Sequence, residues 1–89
     1  MNLRKINLDK NSWLHETLES IKRTVNNMEE AEAYMYLIEE SKAMPGDSWE
    51  YSEKEKHGVP IYEDERIYCR FVRRAYGWEY ECFEKVHST

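Results

Sequence analysis

The most constraining feature of this sequence is the stretch 65–86, ERIYCRFVRRAYGWEYECFEKV. It is rich in β-branched and aromatic residues, which favour strands over helices. Residues 78–82 alternate aromatic or cysteine side chains with glutamates, which is the period of a strand with one buried face. Gly77 supplies the positive φ angle that a tight hairpin turn requires. The stretch therefore predicts a β-hairpin.

A two-residue turn at Tyr76 and Gly77 sets the register that we expect for this hairpin. It pairs Phe71 with Cys82 and Arg74 with Glu79, the latter as a favourable cross-strand ion pair. Because side chains alternate across a strand, this register separates an apolar face from a charged one. The predicted apolar face consists of Ile67, Cys69, Phe71, Trp78, Tyr80, Cys82 and Val86.

A helix is the alternative for the first half of the same stretch. Apolar residues recur there at helical spacing, at Ile67, Tyr68, Phe71, Val72 and Ala75. Gly77 would then cap the C-terminus of that helix. The composition and the alternation after Gly77 favour strands.

Two helices are predicted before the hairpin. The first begins at Asn11 or Ser12, either of which can cap the free amides. Its apolar stripe is Trp13, Leu14, Leu18, Ile21 and Val25. The second follows Asn26 and Asn27, and Pro45, Gly46 and Asp47 end it; one continuous helix through the asparagines is the alternative. Its inward stripe is Tyr34, Leu37, Ile38 and Ser41.

The remaining segments complete an α+β fold. Residues 48–53 alternate Trp49 and Tyr51 with polar residues, which predicts a first strand, and residues 53–64 are expected to form an exposed connection. Residues 1–10 either dock on the core or fray. We expect two N-terminal helices packed on a three-stranded antiparallel β-meander, in a single domain over residues 1–89.

The charge and the apolar pattern argue against several classes of function. Acidic residues outnumber basic ones 18 to 13, for a net charge of −5, whereas proteins that depend on phosphate contacts have basic surfaces. The first ten residues lack the apolar run of a secretory signal, and no run approaches the roughly 18 apolar residues of a membrane span. We expect a cytoplasmic protein with reduced thiols and no membrane association.

Catalytic and metal sites are not predicted. His15, His57, His87, Cys69 and Cys82 lack the closely spaced pairs of structural zinc sites. In the expected register the two cysteines are diagonal neighbours in the core, too far apart for an unstrained disulfide. Nucleophile, metalloprotease and phosphate-binding motifs do not occur. No enzyme activity, metal or cofactor is expected.

An acidic cluster is the first candidate binding surface. Carboxylates on a rigid helix can engage a groove lined by Arg and Lys, including one that handles nucleic acid, and an aromatic residue among them supplies an anchor. The predicted set is Glu29, Glu32, Tyr36, Glu39, Glu40, Glu63, Asp64 and Glu65. The expected partner is a larger protein with a basic surface. The expected role is inhibition or regulation, by analogy with small acidic inhibitors that viruses and mobile elements encode.

Arginines interleaved with aromatic residues in the hairpin form the second candidate surface. The set is Arg66, Tyr68, Arg70, Arg73, Arg74 and Tyr76. On an exposed sheet such side chains stack on bases and contact phosphates, so the alternative function is nucleic-acid binding. Glutamates on the partner strand are expected to neutralise part of this charge. The third alternative is self-association into a homodimer through an edge strand or an aromatic face.

Overall fold

The computed structural model describes residues 2–45 and 58–86 and contains an antiparallel sheet and two helices in this part of the chain. In chain order the elements are β1 (Asn2–Ile6), α1 (Trp13–Val25), α2 (Glu30–Ala43), β2 (Val59–Glu63), β3 (Ile67–Arg74) and β4 (Gly77–Val86). The strand order is β1-β4-β3-β2. The α+β class, the two N-terminal helices and the hairpin of β3 and β4 are confirmed, and residues 65–86 contain no helix.

The sheet has four strands in the described ranges. Two of them, β1 and β2, were not predicted, and they lie at the two edges of the sheet. β1 pairs with β4 from Asn2 opposite Val86 to Ile6 opposite Cys82. β2 occupies residues that were expected to form an exposed connection, and Val59 and Ile61 within it are buried. Pro60 is compatible with this strand because edge strands tolerate a missing amide donor. The strand predicted at 48–53 lies outside the described residues.

The register of the hairpin differs from the predicted one by two residues. Arg74 lies opposite Gly77 and Cys69 opposite Cys82, so the turn residues are Ala75 and Tyr76. A shift by two preserves the side on which each residue lies, because the side-chain period of a strand is also two. The predicted faces are therefore kept, and Cys69, Phe71, Trp78 and Cys82 are in the core, but Tyr68 and Val72 are buried on the opposite face. The individual pairs, including Arg74 with Glu79, are wrong.

The core lies between the helices and the apolar face of the sheet. α1 begins after Ser12, whose Oγ accepts a hydrogen bond from the His15 amide at 3.1 Å, and it buries the predicted residues Leu14, Leu18, Ile21 and Val25. α2 buries Ala33 and Leu37. These side chains pack with the sheet residues Cys69, Phe71, Trp78 and Cys82. No helix in the ranges described is long and apolar enough to cross a membrane.

Candidate functional site

Helix α2 exposes one continuous side to solvent. Because Ala33 and Leu37 face the core, residues on the opposite side of the helix point away from the protein. Residues three and four apart are neighbours on a helix, which brings Met35 between Glu32 and Glu39. All three are exposed, and Met35 exposes 67% of its surface. Together with Glu29, the exposed N-cap residue immediately before the helix, they form what we call the α2 outer surface: Glu29, Glu32, Met35 and Glu39.

Among the residues that the structure describes, few cations compensate the charge of the α2 outer surface. Glu29 and Glu32 lie at the N-terminal end of the helix, where the helix dipole stabilises carboxylates. Lys42 Nζ lies 3.6 Å from Glu39 Oε1, and both side chains are mostly exposed. Such exposed pairs contribute little energy and leave both groups available to a partner. The surface therefore presents three carboxylates around one apolar side chain.

Two residues of the predicted acidic set on α2 are not fully exposed to solvent. Tyr36 and Glu40 are both half-buried. Burial and the neighbouring Glu40, to which Tyr36 is hydrogen-bonded, raise the pKa of the Tyr36 hydroxyl, while a hydrogen bond to Thr24 lowers it. Tyr36 thus bridges the two helices and is not the exposed anchor that the sequence predicts.

Two of the three predicted loop acids stabilise the turn between β2 and β3. Asp64 Oδ1 accepts the amides of Arg66 and Ile67 at 2.7 and 2.8 Å, and its Oδ2 accepts the Tyr62 hydroxyl at 2.7 Å. This is the geometry of an Asx turn. Burial alone would raise the pKa of Asp64, but these hydrogen bonds and the nearby Lys85 hold it below its ordinary value.

Glu63 is the second acid that stabilises this turn, whereas the third acid, Glu65, faces solvent. Glu63 Oε1 lies 2.8 Å from Lys85 Nζ, and the same ammonium group donates to the Asp64 carbonyl oxygen at 2.7 Å. Glu65 is exposed. The predicted acidic set is therefore divided three ways: Glu29, Glu32 and Glu39 on the α2 outer surface, the half-buried Tyr36 and Glu40, and a loop in which Glu63 and Asp64 stabilise the fold.

The predicted arginine surface is dominated by one carboxylate. Glu81 is only 11% exposed, and Arg70 donates to its Oε2 from two nitrogens at 3.0 and 3.1 Å. Arg74 also donates to Glu81, and Lys5 Nζ lies 3.9 Å away. The Arg70 guanidinium stacks over the Phe83 ring at 5.0 Å. One carboxylate thus pairs with two arginines of the predicted set and with Lys5.

The remaining residues of the arginine set do not share one surface. Tyr68 is buried and packs against Phe83, with ring centroids 6.2 Å apart. Arg73 lies opposite Trp78 on the other face of the sheet from Arg70. Arg66 is exposed in the β2–β3 turn, and Tyr76 is 75% exposed at the hairpin tip. The arginine set is therefore distributed over both faces of the sheet, the β2–β3 turn and the hairpin tip.

Sequence reasoning missed an open cleft of about 550 Å³ that contains Glu19, Lys22 and Tyr80. The Tyr80 hydroxyl donates to Glu19 Oε1 at 2.6 Å. Burial and this hydrogen bond raise the pKa of Tyr80, so the phenol retains its proton and is a poor base or nucleophile.

In the described ranges, no group of three or more His, Cys, Asp or Glu side chains has the geometry of a metal site.

Sequence reasoning also missed Met35. The spacing of Met35 relative to Glu32 and Glu39 was available in the sequence, but an apolar residue on a helix is ordinarily assigned to the core.

No known protein family, curated protein or solved structure matches this chain. The class of the protein is therefore defined by its fold, an α+β arrangement of an antiparallel sheet and two helices.

Proposed function

We propose that this protein is a protein-binding module that inhibits or regulates a larger partner by occupying a basic site with the α2 outer surface. The observation that carries this proposal is the position of Met35, an apolar side chain exposed to 67% between Glu32 and Glu39. A cytoplasmic location, in which thiols remain reduced, is part of the same proposal.

The composition of the α2 outer surface suits a binding site. Interfaces bury an apolar centre and surround it with a polar rim. Burying a methionine stabilises a complex by roughly 1.5–3 kcal/mol, and its flexible thioether adapts to the shape of a partner. The surrounding carboxylates accelerate association with a basic surface and disfavour an acidic one.

The length of this surface also suits a basic groove. Glu32 and Glu39 are seven positions apart within α2, so they span about 10 Å along the helix axis at 1.5 Å per residue. Ala33 and Leu37 anchor the helix to the core, so the carboxylates on its outer side keep fixed positions relative to one another. A rigid line of negative charge fits a groove lined by Arg and Lys, such as one that binds a nucleic-acid backbone.

The hairpin is less suited to the alternative, nucleic-acid binding. Arg70 and Arg74 donate to Glu81, so contact with phosphates would require them to leave a carboxylate. Titration with single-stranded oligonucleotides at two salt concentrations separates the two functions, because phosphate-driven binding weakens steeply with salt. We expect no binding at low salt, and a salt-dependent complex would favour the alternative.

The direct experiment is affinity capture with matched charge reversals. Wild-type protein, Glu32→Lys and Glu16→Lys are immobilised and incubated with lysate of the source organism, and the retained proteins are identified by mass spectrometry. Glu16 is the matched control because it is exposed and lies in the first turn of α1, as Glu32 does in α2. We expect one protein to be retained by wild type and Glu16→Lys and lost with Glu32→Lys. Identical retention by all three would contradict the proposal.

A further inference from the structure

We propose that Cys69 and Cys82 form an intramolecular disulfide that clamps β3 to β4 when the chain meets a small-molecule disulfide such as oxidised glutathione. The two thiols are free and buried in this structure. They lie directly opposite each other, with 2.9 Å between their sulfur atoms. The diagonal arrangement expected from the sequence, which argued against a bridge, does not occur.

The ladder places this pair at a position that favours a bridge. The Lys85 amide donates to the carbonyl oxygen of Arg66 at 2.8 Å, so the position facing Lys85 belongs to the hydrogen-bonded pairs. Pairs alternate along an antiparallel ladder, which makes Cys69 and Cys82, three positions further along, a non-hydrogen-bonded pair. The Cα atoms of such pairs lie about 4.5 Å apart, within the range that disulfides span.

The reaction is a double thiol–disulfide exchange. The thiolate of one cysteine attacks oxidised glutathione, forms a mixed disulfide and releases one glutathione thiolate. The second cysteine thiolate then attacks the protein sulfur of that mixed disulfide and releases the other glutathione. The protein loses two electrons and two protons, and the glutathione disulfide is reduced to two thiols.

Burial controls the rate of the first step. The hydrogen bond between the thiols and their burial raise the pKa of Cys69, which keeps it protonated and unreactive in the closed protein. The attack therefore takes place while the hairpin is transiently open or before the helices pack on it. Once the hairpin closes, the register itself brings the second sulfur to the first.

The test measures the cross-link at equilibrium. The full chain is refolded from urea in a series of glutathione mixtures, and the same mixtures are applied in urea that keeps it unfolded. After alkylation of the remaining thiols, trypsin cleaves beside Arg66, Arg70, Arg74 and Lys85, so the bridge joins peptides 67–70 and 75–85. At half-formation of the bridge, the squared concentration of reduced glutathione divided by that of oxidised glutathione equals the effective concentration of the protein thiols. We expect this effective concentration to be about a hundredfold higher in the folded chain than in urea.

The cross-linked protein should also have a higher Tm than the reduced one. A bridge that forms about a hundredfold more readily in the folded chain must stabilise the folded state by the same factor. Cys69→Ser and Cys82→Ser should each abolish the linked peptide pair. An equal or lower effective concentration in the folded chain would overturn the proposal, as would recovery of glutathione adducts or interchain dimers in place of the linked peptides. These measurements use wild-type protein, so they remain decisive if either serine variant fails to fold.

Discussion

The side chain of Asn26 pairs with the backbone of Trp78 through both of its polar atoms. Its Nδ2 donates to the Trp78 carbonyl oxygen at 3.1 Å, and its Oδ1 accepts the Trp78 amide at 2.8 Å. Asn26 is the C-terminal cap of α1, and β1 pairs with β4 only as far as Cys82. The amide side chain therefore takes the place of a neighbouring strand and fixes the end of α1 to the start of β4.

Replacing Asn26 by alanine should lower the free energy of unfolding. Both Trp78 backbone groups would lose their partner in a part-buried setting, at a cost of about 1–3 kcal/mol. The adjacent Asn27→Ala is the control, because Asn27 is exposed and its side-chain amide donates to the carbonyl oxygen of Arg23, four residues earlier in α1; we expect a change within about 0.5 kcal/mol. Urea denaturation measures both, and equal losses would contradict this assignment.

Gly77→Ala should be destabilising for two separable reasons. Gly77 has a φ of 131°, which L side chains rarely adopt, and an added Cβ would lie 2.6 Å from Asn26 Oδ1. Strain of this kind costs on the order of 1–3 kcal/mol. The same substitution in the Asn26→Ala background removes the steric contact and retains the backbone strain, so we expect a smaller loss there. A loss that is the same in both backgrounds would show that Asn26 does not crowd this position.

Glu81→Gln should destabilise the sheet more than the removal of an exposed carboxylate. The change leaves Arg70, Arg74 and Lys5 without their common counterion, and hydrogen bonds to charged groups contribute about 1.5–3 kcal/mol. Glu65→Gln, at an exposed position, serves as the control, with an expected change within about 0.5 kcal/mol. Chemical denaturation compares the two variants. Equal stability would mean that solvent already screens the Glu81 network.

The pH dependence of stability should contain a contribution from Asp64. Its pKa in the folded protein is lowered from the ordinary value of 3.8, so the unfolded chain binds the proton more tightly. The resulting stabilisation is fully present above the unfolded pKa and is lost as the pH falls through the folded value. Asp64→Asn keeps an oxygen acceptor for the turn but cannot titrate.

Denaturation of wild type and Asp64→Asn at a neutral pH and at an acidic pH below 3.8 tests this contribution. We expect the wild type to lose more free energy of unfolding than the variant between the two conditions. Glu65→Gln should follow the wild type, since Glu65 is exposed. Parallel losses in wild type and Asp64→Asn would show that Asp64 does not contribute.

The features that the sequence predicts correctly are those with a local cause. The alternation around Gly77 separates the hairpin faces, and the stripe of α1 is apolar at each buried position. The register was not predictable, because Ala75 and Tyr76 carry no turn signature and the contact between Asn26 and Trp78 joins residues 52 positions apart. β1 depends on pairing with the far end of the chain.

The candidate site was predicted in part for a similar reason. Helical spacing is sufficient to place Glu32 and Glu39 on one side of α2, whereas the roles of Tyr36 and Asp64 depend on neighbours that only the fold supplies. Ala33, which is small, gives a weak signal for the buried side of α2. Without that signal, Met35 could not be recognised as an exposed residue.

The affinity of Met35→Ala for the captured partner tests the proposed binding surface most directly. Met35 is exposed and alanine favours helices, so the free energy of unfolding should not change. The control is Leu3→Ala, which removes another exposed apolar side chain, on β1. Isothermal titration should show at least a roughly tenfold weaker Kd for Met35→Ala and an unchanged one for Leu3→Ala. An unchanged Kd for Met35→Ala would contradict the account.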